Sequence, residues 1–180
     1  MAVNIPESSL IACICEGGAE TAIMDILLNN DLLVFKREQL LDERVLPRSS
    51  VSDFQKRYLR QEYDQKLYIV RVIDSRSEQF NLKEPYRCQV EKIINVITAP
   101  EIEILLIVSE GKYDDFCRSG IDKPSDYCKT LFKHKKFKSQ KFISDYFNSE
   151  EHLVKTIKEY HGLHKQKNKE ASLYDLLKTE

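Results

Sequence analysis

The sequence lacks several features that would each identify a class of protein. No apolar stretch approaches the ~20 residues that span a bilayer, and the first residues lack the basic segment and apolar core of a signal peptide. No GxSxG elbow, phosphate-binding P-loop or GxGxxG loop occurs, so hydrolase triads, nucleoside triphosphatases and dinucleotide enzymes have no support. We therefore expect a cytoplasmic protein that needs no membrane, and any ATP hydrolysis would belong to a partner.

The cysteine pattern and the net charge also point to no particular function. The five cysteines are an odd set without a CxxC pair, which favours reduced, packing thiols over a zinc site. The formal net charge of −1 gives no global attraction to nucleic acid, so such affinity must come from a local patch. A chain of 180 residues that is 42% hydrophobic can bury one core but does not call for a second full domain.

Apolar runs alternate with helical periodicity through the first hundred residues. The runs predict strands at residues 10–15, 32–35, 67–73 and 93–97, and the periodic segments predict helices at 20–29, 37–42 and 51–63. Because each pair of strands is separated by enough residues for a crossover helix, we expect an α/β fold with a mainly parallel four-stranded sheet and helices on both faces.

No strand signal follows Pro100. Helices are predicted at residues 101–109, 113–118, 124–132, 140–147 and 150–161, then a polar linker at 164–171 and a short helix at 172–177. We divide the chain into an α/β domain with a helical extension at residues 1–148 and C-terminal helices with a polar linker at residues 149–180.

Acidic residues follow three of the predicted strands. Glu16 ends the first strand, Asp74 ends the third, and Glu101 and Glu103 follow the fourth. In a parallel sheet these strand ends share one edge, where carboxylates distant in sequence can converge, and such hard oxygen ligands suit Mg²⁺ or Mn²⁺. Either glutamate could face this edge. The plainer alternative is that these are ordinary loop and first-turn acids, which the helix dipole favours.

A basic run at residues 129–141 is the second candidate feature. Its lysines would give sequence-independent, salt-sensitive contacts to phosphates of DNA or RNA. The alternative is a solvated helix end with Phe132 and Phe137 in the core, which we favour for the two rings. The run also contains His134, and the lysines that we expect to bind nucleic acid are Lys133, Lys135, Lys136 and Lys138.

The acidic motifs together resemble a known family. The strand end Cys15-Glu16-Gly17, the strand end at Asp74 and the helix start Pro100-x-x-Glu103 look like the TOPRIM fold, the metal-binding module of topoisomerases, primases and OLD-family nucleases. Their order and spacing are most similar to small RloB-like proteins, which are found beside phage-defence and restriction genes. The resemblance covers roughly residues 10–146.

This resemblance implies a TOPRIM-like, Rossmann-like sheet and a nuclease that uses Mg²⁺ or Mn²⁺ in nucleic-acid processing or phage defence. Glu16 would then be a metal ligand or general acid/base, and Asp74 and Glu103 would be metal ligands. The alternative is a catalytically weak TOPRIM-like module that binds nucleic acid or a partner ATPase encoded nearby. The sequence leaves open whether the substrate is DNA or RNA and whether the chain forms a homo-oligomer.

The chain departs from the family at one position. The usual Asp-x-Asp motif has its second aspartate replaced by Arg76. A guanidinium suits phosphate oxygens, so Arg76 could clamp a substrate phosphate and contribute to catalysis. The alternative is that Arg76 neutralises the acids, which would leave one metal site or none.

Overall fold

Four parallel strands form the centre of the computed structural model, which describes residues 3–133, 135–164 and 170–178. The strands are β1 (Leu10–Cys15), β2 (Leu46–Pro47), β3 (Leu67–Ile73) and β4 (Val90–Ile97), and their order in the sheet is β2-β1-β3-β4. All three pairings are parallel. The expected α/β class and parallel sheet are confirmed.

Eight α-helices surround the sheet in the described part of the chain. They are α1 (Gly18–Asn29), α2 (Val51–Tyr58), α3 (Ile104–Ser109), α4 (Tyr113–Arg118), α5 (Pro124–Leu131), α6 (Gln140–Tyr146), α7 (Glu150–Leu163) and α8 (Leu173–Leu176). Short 3-10 turns lie at Arg37–Gln39, Leu41–Glu43 and Tyr86–Gln89.

The alternation of side chains along β1 creates two separate cores. Ile11 and Cys13 pack with α1 and the C-terminal helices on one face, whereas Ala12 and Ile14 pack with Phe54 of α2 on the other. A fully buried parallel strand needs apolar residues on both faces, which explains the continuous apolar run. The expectation of helices on both faces of the sheet is therefore confirmed.

The second strand was predicted in the wrong place. Residues 32–35 form no strand: Leu33 makes an isolated antiparallel bridge to Leu177, and the amide of Val34 donates to the carbonyl oxygen of Leu176 at 2.9 Å. The strand beside β1 is instead β2. The single helix predicted at 37–42 is also wrong, because Asp42 has a φ of 57°, which an α-helix does not allow, and two 3-10 turns form.

The C-terminal helices belong to the same core as the sheet. Leu153 and Ile157 of α7 and Leu173 and Leu176 of α8 join the cluster that covers one face of the strands. Most of the predicted polar linker, residues 165–169, lies outside the described residues. None of the described helices is long and apolar enough to cross a membrane.

Candidate functional site

The residue that directly follows each strand lies at the same edge of the sheet. Glu16 follows β1, Arg48 follows β2, Asp74 follows β3 and Thr98 follows β4. The register joins these ends, since Cys15 is paired with both Pro47 and Val72, and Ile73 with Ile97. Four polar side chains distant in sequence are therefore neighbours at the carboxyl edge, where open α/β sheets bind ligands.

Two of these residues, Glu16 and Asp74, line an acidic cleft together with acids of α1 and of the segment after β4. We use this name for a cleft that is open to solvent and is lined by five carboxylates and one lysine. Its volume, with the solvent at its mouth, is about 540 Å³. The structure brings Glu16, Asp74 and Glu103 together there, and it adds two more acids. The charged residues of the acidic cleft are Glu16, Glu20, Asp74, Glu101, Glu103 and Lys138.

Glu16 and Asp74 are in direct contact. The backbone amide of Asp74 donates to Oε2 of Glu16 at 3.1 Å, which ties the ends of β1 and β3 together. Partial burial of the Asp74 carboxyl raises its pKa, and the neighbouring carboxylates of Glu16 and Glu101 raise it further. A carboxyl whose pKa is raised by burial and by neighbouring carboxylates is typical of sites that bind a cation or handle a proton.

Glu20 is an acid of the cleft that the sequence pattern did not single out. It lies in the first turn of α1 and is buried, and burial raises the pKa of its carboxyl, with the charges of Glu103, Glu16 and Asp74 adding to the shift. A Cβ at Gly17 would lie only 3.0 Å from Oε2 of Glu20, so a larger residue there would make the Glu20 carboxylate shift. The signal available in the sequence was the spacing of four residues from Glu16, across the strand-to-helix turn.

Glu101 and Glu103 occupy different environments within the acidic cleft. Glu101 accepts hydrogen bonds from the amide and hydroxyl of Ser125, at 2.7 and 3.0 Å, so its carboxylate anchors the start of α5. The Glu103 side chain is only 6% exposed, and its Oε1 lies 3.3 Å from Nζ of Lys138. Burial lowers the pKa of Lys138, but its interactions with Glu103, Glu101 and Glu20 together outweigh burial and the pKa is raised.

Glu16 is also part of a network of ion pairs in which acidic and basic side chains alternate. Arg48 pairs with Glu16 and, at 2.6 Å, with Glu78; Glu78 in turn pairs with Arg71. Arg71 lies in β3 and its side chain is 3% exposed. Arg48 was not predicted because β2 has no recognisable strand pattern, and Arg71 stood out in the sequence only as an exception in an apolar strand.

Arg76 does not line the acidic cleft. Its Nε donates to both carboxylate oxygens of Glu170, at 3.0 and 3.1 Å. It lines a second cavity beside the cleft, which shares only Ile102 with it in the described chain. The predicted phosphate clamp therefore lies next to the acids rather than among them, and its role stays a prediction.

The basic run divides between the core, the surface and the acidic cleft. Phe132 and Phe137 are buried and join the main core, so both rings are structural as favoured. Lys133, Lys135 and Lys136 are exposed. Lys138 is the exception, since it lies at the acidic cleft, and His134 lies outside the described residues.

The donor chemistry of the acidic cleft fits a hard divalent cation. Oxygen ligands and crowded negative charge are what Mg²⁺ or Mn²⁺ requires. In the described ranges, however, no three His, Cys, Asp or Glu side chains are already arranged to hold a metal ion. The cations that now pair with two of the acids are Arg48 and Lys138.

Comparison of the chain with protein-family models, with curated proteins and with solved structures finds no match. The function is therefore inferred from the residues and their geometry.

Proposed function

We propose that this protein is a TOPRIM-like nuclease that hydrolyses phosphodiester bonds of DNA or RNA with the help of Mg²⁺ or Mn²⁺. The observation that carries the proposal is the acidic cleft, which Glu16 and Asp74 line from the ends of β1 and β3 and Glu103 lines from the start of α3. Phage defence and nucleic-acid processing are the settings that the TOPRIM resemblance implies.

Three acids of the cleft would hold the cation, and one of them would also accept a proton. Glu16, Asp74 and Glu103 would hold the cation, which when bound neutralises phosphate charge and makes a water more acidic. Glu16 is half-buried, and its two carboxylate oxygens contact Arg48 and the amide of Asp74. When Arg48 leaves Oε1, this carboxylate would accept the proton from the attacking water. The water oxygen bonds to phosphorus, the phosphorus–oxygen bond to the leaving group breaks, and the leaving oxygen takes up a proton from solvent.

Arg48 and Lys138 would change partners when substrate binds. Both are half-exposed, and each holds one acid of the cleft through a single ion pair. A cation bound by Glu16 and Glu103 would replace these two pairs and free the side chains for phosphate oxygens, which Arg and Lys both bind well. The pair of Arg48 with the partly exposed Glu16 contributes only about 0–1 kcal/mol, so that exchange costs little, whereas the buried Glu103 carboxylate would need the metal ion in place of Lys138.

The test of this function is cleavage by the purified chain. Labelled single- and double-stranded DNA and RNA are incubated with Mg²⁺, with Mn²⁺ and with EDTA. We expect cleavage of at least one substrate with a divalent cation and none with EDTA. Cleavage that persists with EDTA would contradict the role of the acids, and the absence of cleavage on every substrate would contradict the nuclease.

The second candidate is a catalytically weak TOPRIM-like module that binds nucleic acid or a partner ATPase. The observation that favours it is that Arg48 and Lys138 already neutralise Glu16 and Glu103. In that case the acids would be structural, and the chain would bind nucleic acid through its lysines without cutting it.

The exposed lysines of the basic run test binding separately from cleavage. Changing Lys133, Lys135 and Lys136 to alanine should weaken nucleic-acid binding about equally for all sequences and reduce the salt slope by about one for each lysine that binds a phosphate. Cleavage at saturating substrate should change little, because uniform binding affects KM rather than kcat. Fluorescence anisotropy across a salt series measures the affinity and the salt slope.

A matched control exists at the opposite edge of the sheet. Lys56, Lys66 and Lys92 are exposed, and the last two lie at the amino ends of β3 and β4. Their replacement by alanine removes the same charge but should leave affinity at the acidic cleft nearly unchanged. Equal losses in both triple variants would show that only net charge matters, and the basic run would then be an ordinary solvated surface.

A further inference from the structure

A second cavity adjoins the acidic cleft at the same edge of the sheet. Its volume is about 590 Å³, including the solvent at its mouth, and most of its walls are apolar. Thr98, at the end of β4, and Ile102, which also faces the acidic cleft, form one side. The helices α7 and α8 form the other. Apolar recesses with a few polar groups are where small ligands, or one part of a larger substrate, usually bind.

Aromatic rings give this cavity a flat surface. The rings of His161 and Tyr174 are stacked, with centroids 3.9 Å apart and planes 14° from parallel. Tyr174 is 39% exposed and is one of the two large hydrophobic residues that are exposed among the described residues. Both rings line the cavity, and an exposed aromatic ring beside the proposed nuclease site suits a nucleobase.

Polar atoms in the cavity lack partners. The hydroxyl oxygen of Thr98 and Nδ1 of His161 are both buried without a hydrogen-bond partner in the described part of the chain. Thr98 as a whole is only 6% exposed. Buried polar groups are costly when unsatisfied, and Thr98 lines the cavity, so a small movement of its side chain would let the hydroxyl pair with a ligand that has a hydrogen-bonding edge.

Arg76 supplies a cation between the two sites. It lines the aromatic cavity, and it follows Asp74 of the acidic cleft by two residues. Its partner Glu170 also lines the cavity, so their ion pair lies at the cavity wall. A nucleotide with its base in the cavity would bring its phosphate towards Arg76 and the acids.

From these observations we infer that the cavity beside the acidic cleft binds one nucleobase of the nucleic-acid substrate, stacked on Tyr174 and hydrogen-bonded at its edge by Thr98. The inference rests on the proposed nuclease function and names its substrate more closely. A base held in a pocket must be unpaired, so the strand that enters is single-stranded or locally opened.

Binding of deoxyadenosine monophosphate in EDTA tests the inference without cleavage. Ligand-observed NMR titration should show binding to the wild-type protein. Tyr174→Ala should weaken it roughly 5- to 150-fold, because the stacking surface is removed. Tyr174→Phe should retain it. Leu163→Ala is the matched control, since Leu163 is the other exposed hydrophobic residue and does not line the cavity.

Thr98→Val separates recognition from packing. The change keeps the shape but removes the hydroxyl, so affinity for the nucleotide should fall roughly two- to tenfold. Thermal stability should stay the same or rise, because a buried unpaired polar atom has been removed. A purely structural threonine would give no change in affinity.

Four results would overturn the inference. These are the absence of nucleotide binding, equal affinity in the wild type and Tyr174→Ala, equal binding of deoxyribose 5-phosphate, and equal binding of p-cresol, which has a ring but no base edge. If the nucleotide binds as expected but no nucleic acid is cut, only the proposed nuclease fails. If cleavage occurs but the nucleotide does not bind, only the base pocket fails.

Discussion

Replacing Glu16 by glutamine is expected to reduce metal-dependent cleavage by ~10²- to 10⁴-fold, the usual loss when a general acid/base group is removed. The amide keeps the size of the side chain and can still accept the hydrogen bond from the backbone amide of Asp74. It cannot accept a proton from water at neutral pH, and it is a poorer ligand for a cation. The effect should therefore fall on kcat.

The fold should survive this change. The ion pair to Arg48 is removed, but Arg48 keeps Glu78 as a partner and its side chain is 52% exposed, so the pair contributes at most about 1 kcal/mol. Glu38→Gln, at an exposed acid of the 3-10 turn Arg37–Gln39, is the control and should cleave like the wild type. Full activity in Glu16→Gln would place the chemistry elsewhere.

Replacing Arg71 by alanine is expected to lower the free energy of unfolding by about 2–3 kcal/mol. Its guanidinium pairs with Glu78, donates to Oδ1 of Asn95 at 3.2 Å and lies 4.7 Å from the ring centroid of Phe80. Breaking a buried pair usually costs ~3–5 kcal/mol, but Glu78 keeps Arg48 and is partly exposed, so the lower figure is expected.

Two further variants show what Arg71 contributes. Arg71→Met fills much of the same space without a charge and should cost less than alanine, because part of the loss is packing. Arg57→Ala, at an exposed arginine of α2, should change the free energy of unfolding by no more than ~0.5 kcal/mol. Urea denaturation measures all three, and an Arg71→Ala protein as stable as the wild type would remove Arg71 from any structural role.

The central strands could be predicted because their signal is local. Residues 67–73 are apolar and β-branched apart from Arg71, and β3 has these bounds in the structure. The same holds for β1. Because these two strands are adjacent and parallel, the sequence was enough to predict that Glu16 and Asp74 share an edge of the sheet.

The rest of the site depends on contacts that no local pattern reveals. The strand β2 has two residues and no recognisable run, whereas residues 32–35 look like a strand although Leu33 only bridges to Leu177. The error hid Arg48, which follows β2 and pairs with Glu16. The burial of Glu20 and the reach of Lys138 to Glu103 come from the packing of helices and loops distant in sequence.

Divalent-cation binding by the acidic cleft tests the central claim most directly. Isothermal titration with Mn²⁺ should show saturable binding to the wild type and weaker binding to Asp74→Asn. The raised pKa values of Asp74 and Glu20 mean that both carboxyls hold protons at a higher pH than usual, so affinity should fall early as pH is lowered from neutral. A wild-type protein that binds no Mn²⁺ at neutral pH, or an Asp74→Asn protein that binds it equally well, would contradict the account.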